Sequence, residues 1–232
     1  MKRLNRMDTP HMTWLETEAL GWAPRLDQRG DPGEAGDNWA IAAACGYGLG
    51  RPIEDVRSRL RQAAACFAAD AQRPEGWDCV PFDFFNALSI GEWGGRGAEV
   101  ARKPRATWCD PESRSPEALR EVLDAAVAGH AGEAVEARLE QLANASWSTP
   151  FARRVAVPAA ALRLAVLRRD PTALQAALDA SLAGHAWFVR GELALSWRGL
   201  LALGVLGPLA AARSLGLPFS AESPYLPLAL LD

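Results

Sequence analysis

The strongest constraint on how this chain folds is a phrase that it uses twice. "PEALREVLDAAVAGHA" runs from Pro116 to Ala131 and "PTALQAALDASLAGHA" from Pro171 to Ala186, identical without a gap at ten of sixteen positions. The copies begin 55 residues apart, a spacing suited to one helical-hairpin unit laid down twice. In each copy a capping residue (Ser115 or Asp170) precedes a proline suited to a first helical turn, and leucine and alanine follow. The pattern predicts helices ending at Gly129 and Gly184, each glycine taking a left-handed C-cap with His130 or His185 just beyond it, near the negative pole of the helix. A metal site needs three or four ligands, and neither histidine has further ligands nearby in a recognisable pattern. The repeat therefore reads as a packing unit.

The rest of the chain agrees with a helical reading. Alanine and leucine supply most of the apolar content and β-branched residues are scarce, which favours helix. Ile53, Val56, Leu60, Ala63, Ala64 and Phe67 recur at spacings of three and four, a one-sided stripe, with Arg57, Arg59 and Arg61 largely outside it. An opening helix includes "TWLETEALGW", and "PRLDQRGDPGEAGD" reads as an exposed loop ahead of a helix capped by Asp37 that gives out in "GYGLG". "FDFFNALSIGEWGGRGAEVAR" reads as two short helices split at its glycines. Pro158 kinks a helix or marks its true start, and Leu193 to Leu215, the most apolar run, reads as a buried helix. The expected fold is all-α, helical hairpins packed as a repeat-like array or bundle and closed by an extended, proline-rich clip. Residues 1–103 form the N-terminal half, 104–114 a linker loop, and 115–232 the C-terminal half.

Charge and cysteine usage mainly exclude. A net charge of -3 offers no field for a polyanion, so no nucleic-acid partner is expected. The basic start leads into no apolar signal core, and no uninterrupted apolar run reaches membrane-spanning length. Cys45, Cys66, Cys79 and Cys109 form no paired motif, and a reducing cytoplasm with free thiols fits them best. "GYGLG" lacks the strand, spacing and lysine of a phosphate loop. Asp78, Asp83 and Glu92 are the only acidic grouping with any resemblance to a metal or acid/base set, and no histidine accompanies them. No catalytic residue, metal or cofactor is expected.

The chain has nine tryptophans. Trp77, Trp93 and Trp108 sit in or beside glycine- and proline-rich breaks, close to Asp78, Arg96, Arg105 and Asp110. Tryptophan and arginine concentrate at interface hot spots, so these seven residues form the candidate partner-binding surface. The other reading of the rings is that they plug the ends of helix pairs.

Several phrases in order resemble the bacterial immunity protein 49 family, associated with polymorphic toxin systems. They are "WAIAAACGYGLGRPIEDVRSRLRQAAACFAADA", "FDFFNALSIGEW", "LRRDPTALQAALDASLAGH" and the tail "ARSLGLPFSAESPYLPLALLD". The tail weighs most, with Arg213-x-x-Gly216-x-Pro218 leading to Glu222-Ser223-Pro224-Tyr225-Leu226-Pro227. The resemblance runs from about Trp39 onward. It implies an all-α protein without a catalytic role, which binds and blocks a cognate toxin in the cell that makes it. The family pattern does not explain the glycine and tryptophan between Trp77 and Trp108, which points to that segment as partner-specific. Two alternatives stand beside this reading: a general helical-repeat scaffold, and an α-helical enzyme using Asp78, Asp83 and Glu92 around a metal. Tyr225 between its prolines is expected to be buried, its segment laid against the last helices.

Overall fold

An aspartate followed closely by proline starts three of the helices. Asp8 accepts a hydrogen bond from the His11 amide at 2.9 Å, Asp31 from Glu34 at 3.4 Å, and Asp170 from Thr172 and Ala173 at 2.9 and 3.0 Å. The carboxylates satisfy amides that have no partner inside the helix. The computed structural model describes residues 6–73, 81–100, 140, 152–191 and 193–232. Among these residues the regular elements are helical, apart from one isolated bridge between Ser223 and Leu226: α1 Thr9–Gln28, α2 Pro32–Gly48, α3 Ile53–Asp70, α4 Pro81–Trp93, the single turn α5 Gly97–Val100, α6 Val157–Arg168, α7 Pro171–Arg190 and α8 Leu206–Ser214. A π-helical turn, Ala152–Ala156, leads into α6, and short 3-10 turns cover Trp197–Gly199, Leu203–Val205 and Leu228–Leu231. The proposed linker 104–114 and the first copy of the repeated phrase lie outside the described residues.

Short connections make neighbours in sequence neighbours in space: α1 packs on α2, α2 on α3 and α6 on α7. The two ends of the chain are joined chiefly where α4 lies against α8 and against the Leu203–Val205 turn. The stripe on α3 is the core face, with Val56, Leu60, Ala63, Ala64 and Phe67 all buried and Ile53 half-buried. Glu16 of α1 is buried too, and the guanidinium groups of Arg51 (2.8 Å) and Arg59 (2.6 Å) close on it. This knot ties α1 to the start and the middle of α3. Burial works against the Glu16 charge, but hydrogen bonds from Arg51 and Arg59 outweigh it and hold its carboxyl below the ordinary range. A second pair, Glu92 with Arg163 at 2.9 Å, bolts α4 to α6.

Four expectations need correction. "PRLDQRGDPGEAGD" is not an exposed loop: α1 continues through Gln28, α2 starts at Pro32, and Asp37 lies within it. Gly36 is there because the Phe67 ring passes 2.7 Å from where a Cβ would stand, so α2 closes on α3 face to face. Gly184 and His185 do not end a helix, since α7 runs on to Arg190. Gly184 instead faces the preceding π-helical turn, where the Arg154 carbonyl oxygen lies 1.9 Å from a Cβ built on it. Leu193 to Leu215 is not one helix. Its first part turns repeatedly, and the Ala202 amide leaves any helical ladder to donate to the Tyr225 carbonyl at 2.8 Å. Pro158 does mark a helix start, in the first turn of α6. The all-α class holds throughout the described residues.

His185 is buried against the Tyr225 ring, centroids 5.0 Å apart. Burial pushes its pKa down from 6.5 to about 4, and a backbone hydrogen bond at Gly199 offsets part of the effect. The unfolded chain thus takes up a proton on this ring before the folded one does. Stability from His185 is complete above 6.5 and is lost as pH falls toward about 4. Glu16 acts in the same direction at lower pH, losing its contribution as pH falls through its lowered value.

Two predictions follow from this packing. Gly184→Ala should cost about 3 kcal/mol or more because backbone must move to admit the methyl group, whereas Gly21→Ala, in open space on α1, should stabilise by about 0.5–1 kcal/mol; urea unfolding of both variants checks the pair. Urea unfolding between pH 7 and 4 should show about 3 kcal/mol of loss attributable to His185, and His185→Phe should flatten that part of the curve.

Candidate partner-binding surface

Of the seven residues singled out in the sequence, Trp93 and Arg96 are among the described residues, while Trp77, Asp78, Arg105, Trp108 and Asp110 lie outside them. Trp93 is the last residue of α4, and the glycine pair after it turns the chain into α5. Its ring is half-buried against the core, and its indole N–H donates to the Leu230 carbonyl at 3.0 Å. Trp93 therefore has a structural duty, holding the closing segment, in addition to any contact its exposed part makes. Arg96 is exposed and pairs with Glu99, one turn along, at 3.3 Å. Such a surface pair is worth only a few tenths of a kcal/mol, so Arg96 remains available to another carboxylate.

Beside Trp93 the surface sinks into a groove of about 430 Å³ between α3 and α8. Arg57 and Arg61 line it from α3, Arg213 from α8, and Leu231 and Asp232 from the closing segment. The Arg57 guanidinium reaches Glu54 and the Ala229 carbonyl, and its buried Nε finds no acceptor. Arg213 is paired with the Asp232 carboxylate. Arg61 is exposed, and no described residue accepts from it. The sequence signal for this groove was present but unused: Arg57 and Arg61 are one turn apart on α3, on the flank of its apolar stripe.

A second exposed aromatic stripe lies on α1, where Trp14 and Trp22 are 59 % and 42 % accessible. His11 stands edge-on to Trp14, Glu18 accepts from the Trp22 indole at 3.3 Å, and Arg25 lies over the Trp22 ring. Both belong to the stretch "TWLETEALGW" expected to lie in an opening helix. Each ring thus has its own partners on the same helix.

The acidic grouping considered for metal chemistry does not assemble among the described residues. The Glu92 carboxylate is engaged by Arg163, and burial, only partly offset by that guanidinium, pushes its pKa up. Asp78 and the Asp83 side chain lie outside the described residues, and no group of three metal-ligating side chains occurs among those described. Cys45 and Cys66 are buried, their thiols pushed up to about 12 and about 11 chiefly by desolvation, so neither is a ready nucleophile. No helix among the described residues is long and apolar enough to cross a membrane.

The duty of Trp93 is testable by stability. Trp93→Phe keeps a ring but leaves the Leu230 carbonyl without its donor, and should cost about 1 kcal/mol in urea unfolding with the far-ultraviolet circular dichroism unchanged. An unaltered midpoint would make Trp93 a surface residue only.

Comparison with protein-family models finds a match to the model described as Immunity protein 49 over residues 107–230. The match takes in α6 to α8 and the closing segment as far as Leu230, and leaves α1 to α5 outside it. Searches of curated proteins and of solved structures found no match. With more than half of its length matched in one continuous stretch, the chain belongs to the immunity protein 49 family.

Proposed function

We propose that this protein is an immunity protein that neutralises a cognate bacterial toxin by direct stoichiometric binding in the cytoplasm, without catalysis. The family match carries the reading. Support comes from the chemistry of the surface: an arginine-lined groove beside a tryptophan suits recognition of a protein, while Glu92 is engaged by Arg163 and Cys45 and Cys66 are buried with raised thiol pKa values. The partner contacts proposed are made by Trp93 and Arg96 and, from the sequence, by Trp77, Asp78, Arg105, Trp108 and Asp110. Inhibition by occlusion of the toxin's active site and inhibition from a distance both fit a rigid helical binder. The scaffold alternative, a helical-repeat protein with no toxin partner, lacks an observation that favours it over the family reading.

Capture of the product of the neighbouring gene, inactivated by mutation, checks this. The expected outcome is a stable one-to-one complex in size-exclusion chromatography with light scattering, and protection of cells expressing the active toxin. Absence of both would remove the immunity reading and leave the family match as a statement about the fold.

A further inference from the structure

The groove between α3 and α8 has more donors than acceptors. Among the described residues three guanidinium groups line it, against a single carboxylate side chain, Asp232, with Glu54 on Arg57 at the edge. In a chain whose formal net charge is -3, this is a local reversal of sign. Arg213 is balanced by Asp232, and Arg57 is largely spent on Glu54 and on the Ala229 carbonyl. Arg61 has no acceptor among the described residues. A guanidinium held at the edge of a groove with partly apolar walls suits an anionic oxygen group such as a carboxylate, because desolvation on closing strengthens the pair.

The walls narrow the occupant further. Trp93, Ala210 and Leu231 give the groove apolar surface, so an occupant with side chains gains more than a free anion does. Leu230, Leu231 and Asp232 of the chain itself form one wall of the groove, and there the Asp232 carboxylate pairs with Arg213. That wall shows a carboxylate flanked by apolar side chains meeting a guanidinium of the groove. A second segment of the same character has Arg61 free to receive its carboxylate.

We infer that this groove is a docking site for an acidic, apolar-bearing segment of the protein partner, with its carboxylate on Arg61 and an apolar neighbour against Trp93. Identifying that partner as a toxin rests on the reading above, whereas the groove's selectivity for carboxylate does not. Phosphate of a nucleic-acid strand is the competing occupant. The chain's overall negative charge and the carboxylate already seated on Arg213 favour the acidic peptide.

The test uses the full chain and a fluorescein-labelled peptide of alternating leucine and aspartate, read by fluorescence polarisation. Wild type should bind it about tenfold or more tightly than the leucine–asparagine peptide, and Arg61→Glu should weaken binding by a similar factor. Trp14→Ala, on α1 outside the groove, should leave binding unchanged. Arg61 makes no described contact, and equal unfolding midpoints for Arg61→Glu and wild type confirm that the variant folds. Equal binding of the asparagine peptide, an unaffected Arg61→Glu variant, no binding at all, or tighter binding of a labelled oligothymidylate would each overturn the inference. The inactivated neighbouring-gene product separates the two proposals. Peptide binding without toxin binding sinks only the immunity reading. Toxin binding equal in wild type and Arg61→Glu, without peptide binding, sinks only the groove.

Discussion

Segment 217–232 has little regular structure of its own, and its backbone carbonyls are what the surrounding helices hold. The Gln175 amide donates to Ser220, the Tyr47 hydroxyl to Pro224, the Ala202 amide to Tyr225, Arg57 to Ala229 and the Trp93 indole to Leu230. The donors belong to α7, α2, the turn before α8, α3 and α4, so one extended strap touches almost every layer. Each bond is worth about 1 kcal/mol net, and each left unmade in the interior costs more. Tyr225 and Leu230, both buried, add the apolar contribution that an irregular segment otherwise lacks. The same strap supplies one side of the arginine-lined groove, so the element that closes the fold also shapes the candidate binding surface.

The family match and the packing divide the molecule differently. Residues 107–230 carry the match, yet α4, outside it, packs on α8 inside it, and Arg57, Arg61 and Trp93 meet Arg213 across that boundary. The groove lies where the unmatched helices border the matched ones.

Much of the frame was legible in the sequence because local chemistry and tertiary need coincide there. The three-and-four spacing on α3 is its buried stripe, and Asp170-Pro171 and Pro158 start helices where their backbone preferences require. Glycine misled the reading wherever two helices come close. Gly36 and Gly184 look like breakers in sequence, but each is a site where a neighbour occupies the space of a side chain, and a one-dimensional pattern cannot show that neighbour. Leu193 to Leu215 has helical composition, yet the Ala202 amide is claimed by Tyr225, far along the chain. At the candidate surface the sequence singled out Trp93 and Arg96 through their unusual setting. It missed Arg57, Arg61 and Arg213 because arginines flanking an apolar stripe read as an ordinary solvated face, and the strap that gathers them comes from elsewhere in the chain.

Coupling of the early helices to the late ones through the strap is tested most directly by hydrogen exchange of the full chain, comparing wild type with Tyr225→Ala. If the strap is the coupling, exchange should accelerate by similar factors in α2, α3 and α4 and in residues 200–215, because releasing Tyr225 loosens every element bonded to its segment. Faster exchange confined to residues 217–232, with α2 to α4 unchanged, would contradict the account and leave the strap as a passive covering.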